Sequence, residues 1–322
     1  MMLKKKSLFF AALFVGMPLV LLGCLMAGAD KMGIPDLRSE IGMAIFTTRL
    51  QSVIAALVVG GGLAVAGVVM QALLRNPLAE PYVLGVSSGA GLGAAIAIVS
   101  GIAGLSVVGR PAIAFFFAIV TLLAVYRLAG SGGKLSIYGL ILSGVIVSSI
   151  CSSVLMFIIS KSKSDEMHGI IWWMLGSLQP SSLPLLATCS VAMCCGMIVL
   201  WALAPELNAL SLGQEMAHHV GVRTRMATGI GLAVATLITA SAVAMSGLIG
   251  FVGLVVPHVV RRLIGPDHRY LLPFSAICGG LFLAVCDAVA RTIMAPVGVL
   301  TAMVGGPFFL AILRSKRKGW LE

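Results

Sequence analysis

The ionisable and nucleophilic residues of this chain are few, and their spacing restricts the chemistry open to it. Asp287 and Arg291 stand four apart inside an apolar run, a separation that places both on one side of a helix. An intramembrane carboxylate is a functional candidate by default, but an ion pair near the end of a helix is a simpler reading than a proton relay. His218 and His219 are adjacent, while His258 and His268 stand alone, so none shows the i, i+4 separation with which HExxH holds zinc. The seven cysteines (Cys24, Cys151, Cys189, Cys194, Cys195, Cys278, Cys286) form no CxxC and sit almost entirely in apolar runs, where cysteine behaves as a small buried hydrophobe. Adjacent Cys194 and Cys195 point to different sides of a helix and make a poor chelate. The sequence contains no Walker A lysine motif, no GxSxG and no paired carboxylates, so neither ATP binding nor hydrolysis has a seat here.

These sparse groups must be positioned by helices in lipid. Of 322 residues, 59% are hydrophobic and only 10% charged, and the mean hydropathy is +1.09, too little polar residue to cover a soluble globule. With ~20 residues per crossing, candidate spans begin near residues 8, 45, 83, 112, 136, 183, 227, 248, 271 and 297. The expected fold is all-α: a polytopic membrane protein of ten transmembrane helices, forming one continuous transmembrane domain over 1–322. The net charge of +11 lies in short inter-helix loops, not in a stripe suited to nucleic acid. Of the 22 Lys and Arg, fifteen fall on the side of the termini and seven on the other, which places both termini in the cytoplasm.

The centre of the sequence runs from Gly60 to Gly93. Gly60, Gly61, Gly62 and Gly67 lower helix propensity but let neighbouring helices approach closely, as packing in lipid requires. Pro77 and Pro81 then interrupt the backbone around Arg75 and Glu80. VLGVSSGAG follows as a new helix start whose freed amides need partners.

RNPLAEPYVLGVSSGAG resembles the signature of the FecCD family, permease subunits of type II ABC importers for iron chelates, haem and cobalamin. Further matching blocks are SIYGLILSGVIV (136–147), WMLGSL (173–178), LNALSLGQEMAHHVG (207–221), GLIGFVGLVVPHVVRR (247–262), DHRYLLP (267–273) and GVLTAMVGGPFFLAIL (298–313). The resemblance covers nearly the whole chain. It implies a homodimer, or one half of a heterodimer, served by two ATPase subunits that bind ATP and Mg, and by a periplasmic or lipid-anchored substrate-binding protein. The permease itself would carry no cofactor and sit in the cell inner membrane. Ferric siderophore is the commonest cargo in the family and is put first, with haem and cobalamin as alternatives. The resemblance also carries over a cytoplasmic gate at Asn76 and Leu78. It further implies ATPase coupling through Gly213, Glu215, Met216, Ala217 and Gly221, and binding-protein docking at Arg49 and Arg291. Where many relatives have Glu this chain has Gln214, and where they read Arg-Leu-Pro-Arg it reads Arg49, Leu50, Gln51, Ser52.

The residues between the blocks add further expectations. Pro205 suits a first helical turn, Ser211 with Gln214 makes a capping box, and Gly221 ends a second short helix, so 204–226 reads as a cytoplasmic helix pair. The loop 161–182 carries Trp172 and Trp173 as interfacial anchors. Pro257 is expected to interrupt the eighth span, and VLGVSSGAG and SGLIGFVGLVVP allow an inverted repeat. LLGC at 21–24 looks like a lipoprotein cleavage box, but the apolar run continues beyond it, favouring a retained first helix and an unlipidated Cys24. The main rival function, an ion-coupled secondary transporter, would need ionisable or carbonyl-exposing residues near the midplane. A lone Asp287 is thin support for it.

Overall fold

The computed structural model describes residues 15–28, 33–102, 109–131, 134–135, 137–179 and 182–319. Each of the ten expected spans falls on a helix. These are α1 (described over Val15–Met26), α2 (Glu40–Leu73), α3 (Val86–Val99), α4 (Gly109–Ala129), α5 (Ile137–Lys161), α7 (Leu183–Ala202), α10 (Thr224–Ser246), α11 (Val252–Ile264), α12 (His268–Thr292) and α13 (Val297–Gly319). Six of them, α2, α4, α5, α7, α10 and α12, are long and apolar enough to cross a bilayer; the other four have shorter apolar stretches, described over Val15–Met26, Val86–Val99, Val252–Ile264 and Val297–Ala311. Three further helices lie between spans: α6 (Ser164–Met174), α8 (Ala204–Ser211) and α9 (Gln214–His219). The described residues contain one β pairing, the two-residue strands β1 (Gly130–Ser131) and β2 (Lys134–Leu135) between α4 and α5. The end of the bundle that charge assigns to the cytoplasm is called inner below, the opposite end outer.

Helix α2 is the axis. Its 34 residues extend ~51 Å, well beyond a hydrocarbon core of ~30 Å. Residues 59–73 are all buried, against α7, α10, α11 and α12. Small residues make this possible. A methyl on Gly60 would overlap the Gly279 carbonyl of α12, and one on Gly279 would overlap the Gly60 carbonyl. Gly67 faces the Gly253 carbonyl of α11 in the same way. The two crossings bring backbone against backbone, where dispersion and weak polar contacts act at short range.

Helix α2 begins at Glu40, several residues before the expected start. Ser39 caps it by accepting the Gly42 N–H at 3.0 Å, and Glu40 places a negative charge in the positive first turn. Arg49 therefore lies in the third turn, not at the helix start. Helix α6 was read as loop. Its first turn is closed by Glu166, which accepts the Lys163 N–H at 3.0 Å; Trp172 is exposed while Trp173 packs on the core.

Pro257 does not interrupt α11; the break lies at 247–251, just before it. A proline inside a helix frees the carbonyl four residues earlier. For Pro257 that is Gly253, whose oxygen accepts from Gln71 Nε2 of α2 at 3.4 Å. For Pro273 in α12 it is Arg269, whose oxygen accepts from Trp201 Nε1 at the end of α7, at 3.1 Å. In both cases a neighbouring helix supplies the missing donor, and the helix continues.

Gly279→Ala is expected to destabilise the protein by at least ~1–3 kcal/mol, because its neighbours are backbone atoms that cannot rotate away. Gly229 of α10 has open space around it, so Gly229→Ala should leave stability equal or slightly raised. Thermal unfolding of the two purified variants in one detergent checks the contrast.

Candidate functional site

Residues with candidate roles gather at three levels: the inner end, the depth at which the backbone is broken, and the outer end. At the inner end α2 stops at Leu73, and Arg75 turns the chain with φ +47. Asn76 Oδ1 accepts the Leu78 N–H at 3.0 Å, and the Asn76 carbonyl accepts the Ala79 N–H at 3.0 Å, so the asparagine shapes a compact turn. Asn76 is exposed and Leu78 half-buried. The Arg75 guanidinium reaches towards Gly213, 3.5 Å from where a Cβ would stand, and so joins this turn to the helix pair.

In that pair, Pro205 occupies the first turn of α8 as expected. The capping box does not form. Ser211 is the last residue of α8, and its hydroxyl donates back to the Asn208 carbonyl at 2.7 Å. Helix α9 starts instead from Gly213, at φ +126. Gly221, at φ +86, ends α9: its N–H donates to His218 O at 3.0 Å, and Val222 N–H donates to Ala217 O at 3.0 Å, the paired bonds of a Schellman motif. The five coupling candidates divide by exposure. Glu215, Met216 and Gly221 face outwards, whereas Gly213 and Ala217 are buried. The latter two shape the pair and present no side chain at its surface. Leu212, Met216 and Val220 are 74%, 57% and 69% exposed, an apolar patch on an otherwise polar segment.

Deeper in the bundle two broken segments meet. From the inner side the chain climbs through Glu80 into a 3-10 turn, Pro81–Leu84, and restarts as α3 from Gly85 at φ +80. From the outer side it descends through 247–251 and restarts as α11 from Phe251 at φ +68. Glu80 Oε1 accepts the Phe251 N–H at 2.8 Å. Tyr82 Oη donates to the Ile249 carbonyl at 2.9 Å and accepts the Ile249 N–H at 3.4 Å. Side chains of the first segment thereby satisfy backbone groups of the second, as a low-dielectric setting demands. The two half-helices share a design: both begin at a left-handed residue without a side-chain cap, and they run in opposite directions in the bundle.

At the outer end, Arg49 and Arg291 converge on the end of α1. Arg291 donates to the carbonyls of Cys24 (2.9 Å) and Ala27 (3.3 Å), and Arg49 to those of Leu25 (3.2 Å), Met26 (3.2 Å) and Gly33 (2.9 Å). The last carbonyls of a helix lack internal partners and carry the negative end of its dipole, so two cations complete them. Gly28 leaves the space through which Arg49 passes. Arg291 also pairs with Asp287 as their spacing implied, Nε to Oδ2 at 2.9 Å. Cys24 is 4% exposed in this arrangement. Beside both arginines opens a cavity of about 1040 Å³, walled by Asp36, Thr48, Trp172, Gln179 and Met294 among others.

A bundle with helices broken at depth, an inner helix pair and an outer cavity suits a transport subunit, and the comparisons agree with it. The FecCD transport family model matches residues 9–315. The chain belongs to the FecCD transport family. Its relatives include a cobalamin import system permease of Halobacterium salinarum, 39% identical over 303 residues that span 94% of this chain and 80% of the relative. Another is a hemin transport system permease of Yersinia pestis, 34% identical over 322 residues, 95% and 96% of the two chains. Among solved structures, a metal-chelate type ABC transporter in an inward-facing conformation superposes with a TM-score of 0.86 at 30% identity, over 96% of this chain and 99% of that one. This member of the family is thus an ABC-class membrane permease, a transport subunit and not a catalytic one.

Sequence reading missed Gln71, Tyr82 and Glu80 as tertiary partners. One signal was present: Pro257 marks Gly253 as a carbonyl in need of a donor. No comparable signal pointed to the α1 carbonyls as the targets of the arginines.

Arg291→Ala should cost ~3–5 kcal/mol, since it leaves the buried Asp287 carboxylate without its cation. Hydrogen exchange of residues 24–28 should accelerate in the variant as the end of α1 loses its donors. Arg291→Ala combined with Asp287→Asn should recover part of the stability in the same unfolding assay.

Proposed function

We propose that this protein is the permease subunit of a type II ABC importer, imports a metal chelate delivered by a binding protein, and draws its energy from partner ATPases. The observation that carries the reading is the patch of Leu212, Met216 and Val220 on the inner helix pair. Three large apolar side chains, exposed on a segment whose C-terminal end is closed by the bonds of Gly221 and Val222, suit insertion into a partner's groove. Family membership over residues 9–315 supports placing ATP-driven motion at that patch.

Two copies would enclose the path. Asn76 and Leu78 are assigned to its cytoplasmic gate, on a turn made stiff by its own hydrogen bonds and by Pro77. The binding protein would seat over the outer cavity, where Arg49 and Arg291 stand. Their bonds to α1 set their orientation there, and the docking contribution of each charge is that of a rim group, ~0.2–1 kcal/mol, repeated by twofold symmetry. Transport follows by alternating access: ATP-driven closure of the ATPases moves the helix pairs, and the bundle changes which end of the path is open. The cargo makes no covalent bond. Ferric siderophore is put first among haem, cobalamin and other chelates because it is the commonest cargo of the family the sequence resembles. We place the chain in the inner membrane with both termini in the cytoplasm, on the bias of Lys and Arg.

The complex that co-purifies with the chain tests the reading. Met216→Cys is expected to cross-link to the ATPase subunit, whereas Ala217→Cys, facing inwards, should react poorly. Proteoliposomes loaded with the complex should import the ligand recovered from the cognate binding protein only with ATP. Import driven by a proton or sodium gradient without ATPase would overturn the assignment in favour of secondary transport.

A further inference from the structure

The inner helix pair is joined to the bundle by a link that the motifs did not disclose. Helix α12 begins at His268 with Asp267 as its N-cap, whose Oδ1 accepts the Arg269 N–H at 3.1 Å. The first N–H groups of a helix have no partners within it. Asn208 of α8 supplies one, because its Oδ1 accepts the His268 N–H at 2.9 Å. Its Nδ2 donates to Asp267 Oδ1 at 2.8 Å. The ring Nδ1 of His268 lies 2.7 Å from the same Asn208 oxygen, and because a carboxamide oxygen only accepts, Nδ1 carries the proton. One side chain of α8 thus uses both ends of its carboxamide on the N-cap and the first residue of α12, with His268 only 3% exposed.

The geometry distinguishes this link from the apolar contacts beside it. Leu207 and Leu210 are also buried, but apolar packing has no direction and tolerates sliding. A carboxamide that donates at one atom and accepts at the other fixes position and register. Trp201, at the end of α7, grips the same turn through the Arg269 carbonyl. From there α12 runs 25 residues, ~37 Å at helical rise, past its crossing with Gly60, to Arg291, Asp287 and the outer cavity.

We propose that Asn208 is the positioning residue through which movement of the inner helix pair reaches α12, and through α12 the outer mouth. The proposal rests on the ABC-permease reading above. Asn208 touches no cargo and no reacting atom; it acts by holding the cap of another helix.

A reporter at the far end of α12 tests it. Met294, 73% exposed in the wall of the outer cavity, is replaced by cysteine and labelled with an environment-sensitive fluorophore, with the exposed Cys194 and Cys195 changed to serine. The assembled permease–ATPase complex is then read with and without a non-hydrolysable ATP analogue and Mg. In the parent, the analogue should change the emission. Asn208→Asp sets two carboxylates against each other and should reduce that change at least ~5-fold, the lower range of allosteric couplings, while the complex still hydrolyses ATP. Adding Asp267→Asn reverses donor and acceptor, keeps a good N-cap, and should restore the response. Asn208→Ala, which removes the bonds without adding charge, should show the same loss and decides the matter if the aspartate variant fails to assemble. A full response in Asn208→Asp or Asn208→Ala, or no recovery in the double variant, would overturn the proposal and leave the permease reading standing. An unresponsive parent would overturn both.

Discussion

A backbone carbonyl or amide without a partner costs several kcal/mol in hydrocarbon, and much of this structure answers that one constraint. The chain breaks its helices at 74–85 and at 247–251, and frees further carbonyls at Pro257 and Pro273, where α11 and α12 nonetheless continue. At each place a named side chain or a second broken segment takes up the freed groups: Gln71 on Gly253, Trp201 on Arg269, Glu80 on Phe251, Tyr82 on Ile249. Irregular backbone is therefore available to line a path, because its polar groups are already satisfied by the protein around it.

Glycine makes these compensations geometrically possible. Gln71 can reach the Gly253 carbonyl because Gly67, one turn earlier on α2, carries no Cβ to hold α11 away. Gln71 Oε1 also accepts from Arg261 Nη2 at 3.4 Å, so a single buried amide joins the restart of α11 to its charged inner end. Close packing and polar satisfaction are thus one arrangement seen twice. The same small residues that lower helix propensity fix where α2, α11 and α12 cross, and with that the spacing between the inner turn and the broken level.

Helix positions were legible in the sequence because each rests on a local property: length and apolarity for the spans, Pro205 and Gly221 for the ends of the helix pair, the four-residue spacing for Asp287 and Arg291. What escaped was tertiary. Ser211 and Gln214 have the residue types of a capping box, yet α8 continues through Ser211, and the positive φ of Gly213 moves the next start downstream. Helix α6 has 11 residues, its apolar ones gathered mainly at its C-terminal end (Ile170–Met174), and lacks the length of a span, so a hydropathy reading passes over it. Pro257 looks like an interruption because the rule for proline is local, while the donor that cancels its effect is Gln71 of the helix axis, 182 residues before Gly253. Arg49 and Arg291 meet at one end of the bundle, and their bonds to carbonyls of α1 leave no trace in composition or spacing.

Those bonds also bear on how the protein is made. Arg291 caps Cys24 from 267 residues further along the chain, so α12 follows α1 in synthesis by most of the bundle. Until α12 is inserted, the final carbonyls of α1 have only Arg49 to meet them, and Asp287 has not yet arrived with its partner. The full set of hydrogen bonds at the end of α1 therefore requires α12 in place, and a single cluster ties together two helices far apart in the chain.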